Sequence, residues 1–345
     1  MRRRAGLELG LVALAVLLAF VVGGVLIALR GHSPLQVYGV WFSEALFSPG
    51  GRAQVVFKAT TLVFTALAAA FAFEAGMFNI GAEGQIYLGA FLAAVVGHAL
   101  PAELPGFIGV LVIGVVAAAG GGLGALIPAV LKAKRHTHEV ITTMMMNFIL
   151  LSVVNYLLGF VRESAEVVRT PLIPAAFRLA KLERGYDGST AGLFAVLVAA
   201  AVWWFFRRTR AGYELRVLGQ NPGAAEFGGI AMGSRTRWAL ISAGALAGLG
   251  GLNFVLGSPG YFEQHFAPFQ GYLGIAVALL AKNHPLGILP AALLFATMSE
   301  GSQAIQEWVP PELGSILQAI MVVFVISAAR LAEVWSLRRA AEVER

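Results

Sequence analysis

The stretch "FNIGAEGQIYLGAF", residues 78–91, places Asn79, Glu83 and Gln85 among glycines and between two long apolar segments. Polar groups within a bilayer are costly and usually face the interior of a bundle or a pathway. Irregular backbone at membrane depth is tolerated only inside protein or along a cavity. The stretch predicts either a re-entrant or broken-helix element packed inside the protein or an ordinary polar loop, and its periodicity does not choose between them.

The bulk composition is that of a membrane protein. Of 345 residues, 58% are hydrophobic and 13% charged, whereas soluble domains carry about 25% charged residues. The chain has no cysteine, which excludes disulfides and thiol chemistry. The apolar run 11–29 is too long for the core of a signal peptide, so we expect a retained first helix.

Hydropathy predicts an all-α, polytopic membrane protein with about ten transmembrane helices, some of them short or broken, in a single transmembrane domain over 1–345. The criterion is a bilayer core about 30 Å thick, which requires roughly 20 apolar residues for each helix. The predicted spans are 7–29, 54–73, 86–100, 106–131, 139–160, 189–206, 237–257, 271–281, 285–299 and 315–335. Counts of nine or eight stay open because three of these segments are short.

Positive charge falls on alternate loops. Cytoplasmic loops are enriched in Lys and Arg, and the N-terminus, the loops 132–138 and 207–237, and the C-terminal tail are all basic. Both termini are therefore predicted to be cytoplasmic, with the chain in the cell (inner) membrane. The net charge of +6 follows from this topology, since binding of nucleic acid would need a concentrated basic face.

The sequence lacks the common motifs of enzymes. No GxxxxGK[ST], HExxH or GxSxG motif occurs, so we predict no catalytic residue, no metal site and no ATPase motif of its own. These exclusions favour a transport protein.

One polar face is predicted on the fifth span. Glu139, Thr143 and Asn147 are spaced by four residues and share one side of a helix. For Asn147, helix packing and a pathway for an uncharged substrate both stay open, whereas Glu139 is expected to cap the helix or lie at the membrane interface. The predicted substrate-pathway residues are Asn79, Glu83, Gln85, Thr143 and Asn147.

A short similarity links two distant parts of the chain. The segment "GQIYLGAFLAA" (84–94) is echoed by "QGYLGIAVALLA" (270–281), and the predicted topology gives them opposite directions. Transporters often contain inverted repeats with broken helices at the substrate site. The sequence therefore predicts an inverted repeat of spans 2–5 and 7–10.

The cytoplasmic loop 207–237 contains a predicted helix of about two turns. Asn221 can cap it, Pro222 is favoured at its first position, and the pair Gly228 and Gly229 ends it. So short a helix is marginal in water and needs something to pack against. The residues of this segment are Asn221, Pro222, Gly223, Ala224, Ala225, Glu226, Phe227, Gly228 and Gly229.

Four motifs together carry a resemblance to a known family. They are "FNIGAEGQIYLGAF", "HEVITTMMMNFI", "LGQNPGAAEFGGIAMGSRTRWALISAGALAGLGG" and "GYLGIAVALLAKNHPLGI". They resemble the membrane permease subunit of bacterial ABC importers, in the branch that serves simple sugars and nucleosides.

The resemblance implies a ten-helix importer fold in lipid that needs no cofactor, since a cytosolic ABC ATPase uses the ATP. It also implies an extracytoplasmic substrate-binding lipoprotein and a second, related permease that completes a heterodimer. Residues 221–229 would be the coupling helix that docks on the ATPase.

Nucleosides are the favoured substrate, because the motifs resemble the longer permease of a nucleoside-type pair. Aromatic side chains that could stack on a base are Tyr261, Phe262, Phe266, Phe269 and Tyr272, although membrane interfaces also collect aromatic residues. A permease for simple sugars of the ribose or galactose type is the alternative. An ion-coupled secondary transporter would need a buried carboxylate, for which Glu83 is the candidate.

Overall fold

The computed structural model describes residues 2–164, 166–183, 185–310, 312–320, 322–324 and 327. The α-helices are α1 (Arg2–Leu29), α2 (Pro34–Phe47), α3 (Pro49–Glu74), α4 (Ala82–Ala99), α5 (Gly106–Arg135), α6 (Glu139–Val161), α7 (Ala191–Arg208), α8 (Arg210–Gln220), α9 (Pro222–Phe227), α10 (Met232–Leu249), α11 (Gln270–Leu280) and α12 (Ile288–Ala304). A π-helical segment, Asn253–Gly257, follows α10, and a single 3₁₀ turn, Ala175–Phe177, lies before α7. The all-α prediction is confirmed for the described residues.

Five helices are long and apolar enough to cross a membrane among the described residues. They are α3, α5, α6, α7 and α10 continued through the π-helical segment (Met232–Gly257). A sixth span results if Val16–Leu29 and Pro34–Phe47, which are bent by 118°, cross the membrane together. A polytopic membrane protein is therefore confirmed. The shorter α4, α11 and α12 occupy the predicted spans 86–100, 271–281 and 285–299, and much of the predicted span 315–335 lies outside the described residues.

Two helices, α2 and α8, are not predicted by hydropathy. Helix α2 begins at Pro34, a residue suited to a first turn. Helix α8 begins after Thr209, whose hydroxyl accepts a hydrogen bond from the backbone N–H of Gly212 at 3.0 Å. At 14 and 11 residues, both are shorter than a membrane span.

Contacts divide the chain into two compact units. Among the described residues, one unit contains those up to Arg52 and those from Leu294 onward, and the other lies within Ala53–Leu293. In the first unit, Trp41 is fully buried, and its ring occupies the space that a Cβ atom on Gly301 would need. The second unit contains every predicted site residue.

Helices α4, α5 and α10 pack through glycines. A Cβ atom on Gly121 of α5 would overlap the carbonyl oxygen of Gly244 of α10, and one on Gly89 of α4 would lie 2.6 Å from the Cα atom of Gly248. Small residues allow helix backbones to approach closely in a membrane. The run "GGGLG" (120–124), which lacks the lysine of a phosphate-binding loop, thus has a packing role.

Candidate substrate and coupling sites

The polar stretch at the start of α4 is buried within the protein. Asn79 and Gln85 are 2% and 0% exposed and bind each other twice. The Nδ2 atom of Asn79 donates to Oε1 of Gln85 at 2.8 Å, and Nε2 of Gln85 donates to Oδ1 of Asn79 at 3.1 Å. The same Oδ1 accepts from the backbone N–H of Gly81 at 3.0 Å. These bonds fix the irregular turn before α4, and they explain how amides are accommodated beside apolar segments.

The predicted polar face of α6 lies against this turn. The hydroxyl of Thr143 accepts from the N–H of Ile80 at 3.2 Å and donates to the carbonyl of Glu139 at 2.7 Å. Asn147 donates to the carbonyl of Ile80 at 2.8 Å and accepts from the N–H of Gly84 at 2.9 Å. Both side chains are fully buried. The shared face is confirmed, and in this conformation it satisfies backbone groups of residues 80–84.

Glu139 lies at the end of that face. Its carboxylate pairs with the ammonium of Lys132, in the last turn of α5, at 2.7 Å. The pair closes the short connection between α5 and α6, and the location of Glu139 at the membrane interface stays a prediction.

Glu83 joins two helix starts. One carboxylate oxygen accepts from the backbone N–H of Phe269 at 2.7 Å, and the other from that of Gly271 at 2.7 Å. A helix N-terminus has unpaired N–H groups and partial positive charge, so the carboxylate stabilises the beginnings of α4 and α11 together. A Cβ atom on Gly271 would overlap the backbone nitrogen of Glu83, so only glycine fits here. Both oxygens are engaged, which disfavours Glu83 as the ion site of a secondary transporter.

The five aromatic residues proposed for stacking differ in their exposure and in their partners. Phe262 is 1% exposed and packs with Phe266, the ring centroids 5.2 Å apart, so the prediction that it is available to a ligand is wrong. Phe269 is 68% exposed, and its ring centroid lies 6.4 Å from that of Tyr272. The hydroxyl of Tyr272 accepts from Nδ2 of Asn147 at 3.1 Å, which holds the tyrosine against the buried polar network. Tyr261 lies under the guanidinium of Arg169.

The predicted short helix in the loop 207–237 is present as α9. The Oδ1 atom of Asn221 accepts from the N–H of Ala224 at 3.0 Å, and Pro222 occupies the first turn. After Gly228, the backbone of Gly229 takes the left-handed conformation with φ 72°. Within 221–229, Ala225 alone is buried, and Phe227 is 97% exposed. A small buried residue thus holds the helix while a large aromatic side chain projects outward.

Helix α8 leads directly into α9 and is attached to α10 by an ion pair. Glu214 pairs with Arg210 of its own helix at 2.8 Å and with Arg235 of α10. The hydrogen bond from Arg210, with the positive charge of Arg235, holds the pKa of Glu214 below its ordinary value. The signals that indicate α8 are the Thr209 cap and the four-residue spacing of Arg210 and Glu214.

The described residues contain no group of three or more His, Cys, Asp or Glu side chains that could hold a metal ion. The described residues form a polytopic membrane protein in which an exposed, capped helix, α9, lies in the connection between the membrane-length helices α7 and α10. The chain belongs to the family described as "Branched-chain amino acid transport system / permease component", whose model matches residues 51–326. It is a permease subunit of an ABC importer, a transport component without catalysis of its own, in the cell membrane. Such subunits work with an ATPase and a binding protein.

Three relatives are similar over most of their length. Guanosine ABC transporter permease protein NupP of Bacillus subtilis is 32% identical over 329 residues, covering 91% of this chain and 92% of that protein. Glucose ABC transporter permease protein TsgB13 of Haloferax volcanii is 34% identical over 343 residues, covering 94% and 88%. Nucleoside ABC transporter permease protein NupB of Lactococcus lactis is 31% identical over 324 residues, covering 90% and 89%.

Proposed function

We propose that this permease forms half of a translocation pathway for nucleosides. The observation that carries this proposal is the aromatic pair of the exposed Phe269 and the half-buried Tyr272, whose positions are set by Glu83 and Asn147. An aromatic ring presents a flat apolar surface, and stacking of a nucleobase on such a ring contributes about 1–3 kcal/mol. Similarity to NupP and NupB supports the same substrate class.

The buried network has a positioning role in this proposal. Asn79, Glu83, Gln85, Thr143 and Asn147 hold the starts of α4 and α11 beside the pathway. Asn147 is the member that reaches Tyr272, so a ribose hydroxyl can compete for its amide when the pathway opens. A loss of these hydrogen bonds would move the aromatic pair.

Coupling to the ATPase is assigned to α9. A six-residue helix is too short to be stable alone, so its exposed side fits into a cleft of a partner while Ala225 is buried against its own protein. Phe227 is the anchor, because buried aromatic side chains at the centre of an interface often carry most of its binding energy. This proposal assigns residues 221–229 to the cytoplasmic side, together with both termini.

The proposed architecture is a single ten-helix domain with an inverted repeat. The meeting of α4 and α11 at their N-termini supports the repeat, because inverted halves place equivalent broken helices head to head. The topology can be tested in this cysteine-free chain with Glu226→Cys. We expect a membrane-impermeant maleimide to label it from the cytoplasmic side only, and labelling from outside would exclude the topology.

The proposed assembly contains a second, related permease, a cytosolic ATPase and an extracytoplasmic binding lipoprotein. This complex, reconstituted in proteoliposomes, should take up guanosine and uridine when ATP is supplied. Uptake of ribose or glucose in their place would favour the sugar permease, and uptake without the ATPase would favour a secondary transporter.

The aromatic pair can be separated from general membrane packing. Phe269→Leu should lower nucleoside uptake by about fivefold or more, since stacking contributes at least about 1 kcal/mol. The matched control is Phe160→Leu. Phe160 lies on α6, is 71% exposed, and has its ring centroid 5.1 Å from that of Tyr156 on the same helix. Equal uptake by the two variants would contradict the stacking role.

A sugar permease is the second candidate. The observation in its favour is TsgB13, which is as similar to this chain as the nucleoside permeases are. The uptake experiment decides between the two.

A further inference from the structure

Near its end, helix α8 comes into direct backbone contact with the chain that follows α3. A Cβ atom on Gly219, in the last turn of α8, would overlap the carbonyl oxygen of Glu74 and lie 2.6 Å from the nitrogen of Gly76. A Cβ atom on Gly76 would lie 2.9 Å from the Cα atom of Gly219. Glycine is therefore required at both positions, and the backbones of Gly76 and Gly219 are in direct contact.

Helices α8 and α9 are joined without a linker. Asn221 is both the C-cap residue of α8 and the N-cap residue of α9. The ion pair of Glu214 with Arg235 attaches α8 to α10. A displacement of α9 is consequently carried by α8 rather than absorbed by a flexible loop.

The other side of the contact leads directly to the polar network. Gly76 lies in the turn after α3 and takes the left-handed conformation with φ 72°, and its N–H donates to the carbonyl of Phe73 at 2.9 Å. Asn79 follows three residues later and Glu83 seven residues later. A shift at Gly76 therefore reaches the start of α4, and through Glu83 it reaches the start of α11.

We propose that the Gly76–Gly219 backbone contact is the point at which movement of α8 and α9 is transmitted to the starts of α4 and α11. Flexible side chains can absorb small displacements by changing rotamer, whereas backbone in contact with backbone cannot, because packed interiors transmit strain. The two glycines are positioning residues, and their role depends on the coupling function proposed for α9.

The test places a Cβ atom into the contact with Gly219→Ala. The complex with the ATPase should still assemble, because α9 is unchanged, but substrate-stimulated ATP hydrolysis and uptake should fall by about fivefold or more, the range of typical coupling energies. Gly233→Ala is the matched control, since a Cβ atom there meets only the carbonyl oxygen of Ala133 at 3.8 Å. Uptake by the Gly219→Ala complex at the wild-type level would overturn the proposal.

A conformational readout separates transmission from mere stability. A single cysteine introduced as Phe78→Cys reports on the turn before α4, because Phe78 is 49% exposed. Nucleotide binding by the ATPase should change its rate of labelling in the wild-type background and not in Gly219→Ala. An equal change in both backgrounds would contradict the inference.

A second variant decides the matter if Gly219→Ala fails to fold. Arg235→Gln loosens α8 from α10 without adding an atom at the contact, and it should reduce the nucleotide-dependent change in labelling of Phe78→Cys. An undiminished change would overturn the proposal. Failure of the coupling function itself is distinguishable, because Phe227→Ala would then leave assembly with the ATPase intact.

Discussion

The carboxylate of Glu83 lies 2.7 Å from the backbone N–H of Gly271, a residue 188 positions later in the chain. This hydrogen bond, with the one from Phe269, places a single negative charge between the N-terminal ends of α4 and α11. The starts of two helices from distant parts of the chain are thereby held together inside the protein.

Replacement of Glu83 tests this bridge. In Glu83→Gln the amide group replaces one acceptor oxygen, so one of the two backbone N–H groups loses its partner. We expect a loss of about 1–3 kcal/mol in the free energy of unfolding, measured by thermal or SDS unfolding in detergent micelles. Glu103→Gln, in an exposed turn, is the control and should change little. Equal stability of the two variants would show that the bridge is unimportant.

Asn147 is predicted to stabilise the turn before α4. Asn147→Leu removes the partners of the Ile80 carbonyl and the Gly84 N–H, so the same unfolding assay should show a loss of at least about 1 kcal/mol. Asn155→Leu provides a comparison on the same helix, because the buried side-chain oxygen of Asn155 has no hydrogen-bond partner. A larger loss in the Asn155 variant would contradict the assignment.

Phe227 is predicted to act in assembly and not in folding. With 97% of the residue exposed, Phe227→Ala should leave the melting temperature unchanged and weaken co-purification with the ATPase by about tenfold or more, as expected for an interface anchor. Phe107→Ala, at an exposed residue in the first turn of α5, is the control. Unchanged association would exclude α9 as the main contact.

Glu214 predicts a pH dependence of stability. Arg210 and Arg235 lower the pKa of this carboxyl in the folded protein. The contribution of the ionised Glu214 to the free energy of unfolding is therefore fully present above the ordinary pKa of about 4.3. It is lost as the pH falls through the lowered value. The wild type should therefore be more stable than Glu214→Gln at neutral pH, and the difference between their melting temperatures should shrink in acid. A difference that grows in acid would mean that the ion pairs do not stabilise the fold.

Local signals in the sequence predicted several features correctly. The cap at Asn221, the proline after it and the glycine pair define α9 because capping depends on residues within one turn. The four-residue spacing of Glu139, Thr143 and Asn147 likewise depends only on helix geometry. The polar stretch 79–85 was open between two structures, and its burial favours the element packed inside the protein.

Contacts between distant segments were beyond the sequence. The partners of Glu83 are two backbone N–H groups. Every residue except proline carries such a group, so the residue types at 269–271 do not indicate this contact. The contact of Gly219 with Gly76 could not be predicted either. The sequence shows that position 219 has no side chain, but not which segment occupies the space. Phe262 and Phe269 share a residue type and a loop, and only packing distinguishes the buried ring from the exposed one.

The glycine packing of α4, α5 and α10 restricts how this permease can move. Where two backbones are in direct contact, no side chains lie between them to rearrange. These three helices should therefore move as one rigid body during a transport cycle. The translocation pathway would then be expected to open and close by movement of the elements attached to the ends of these helices, and not by separation of α4, α5 and α10 from one another.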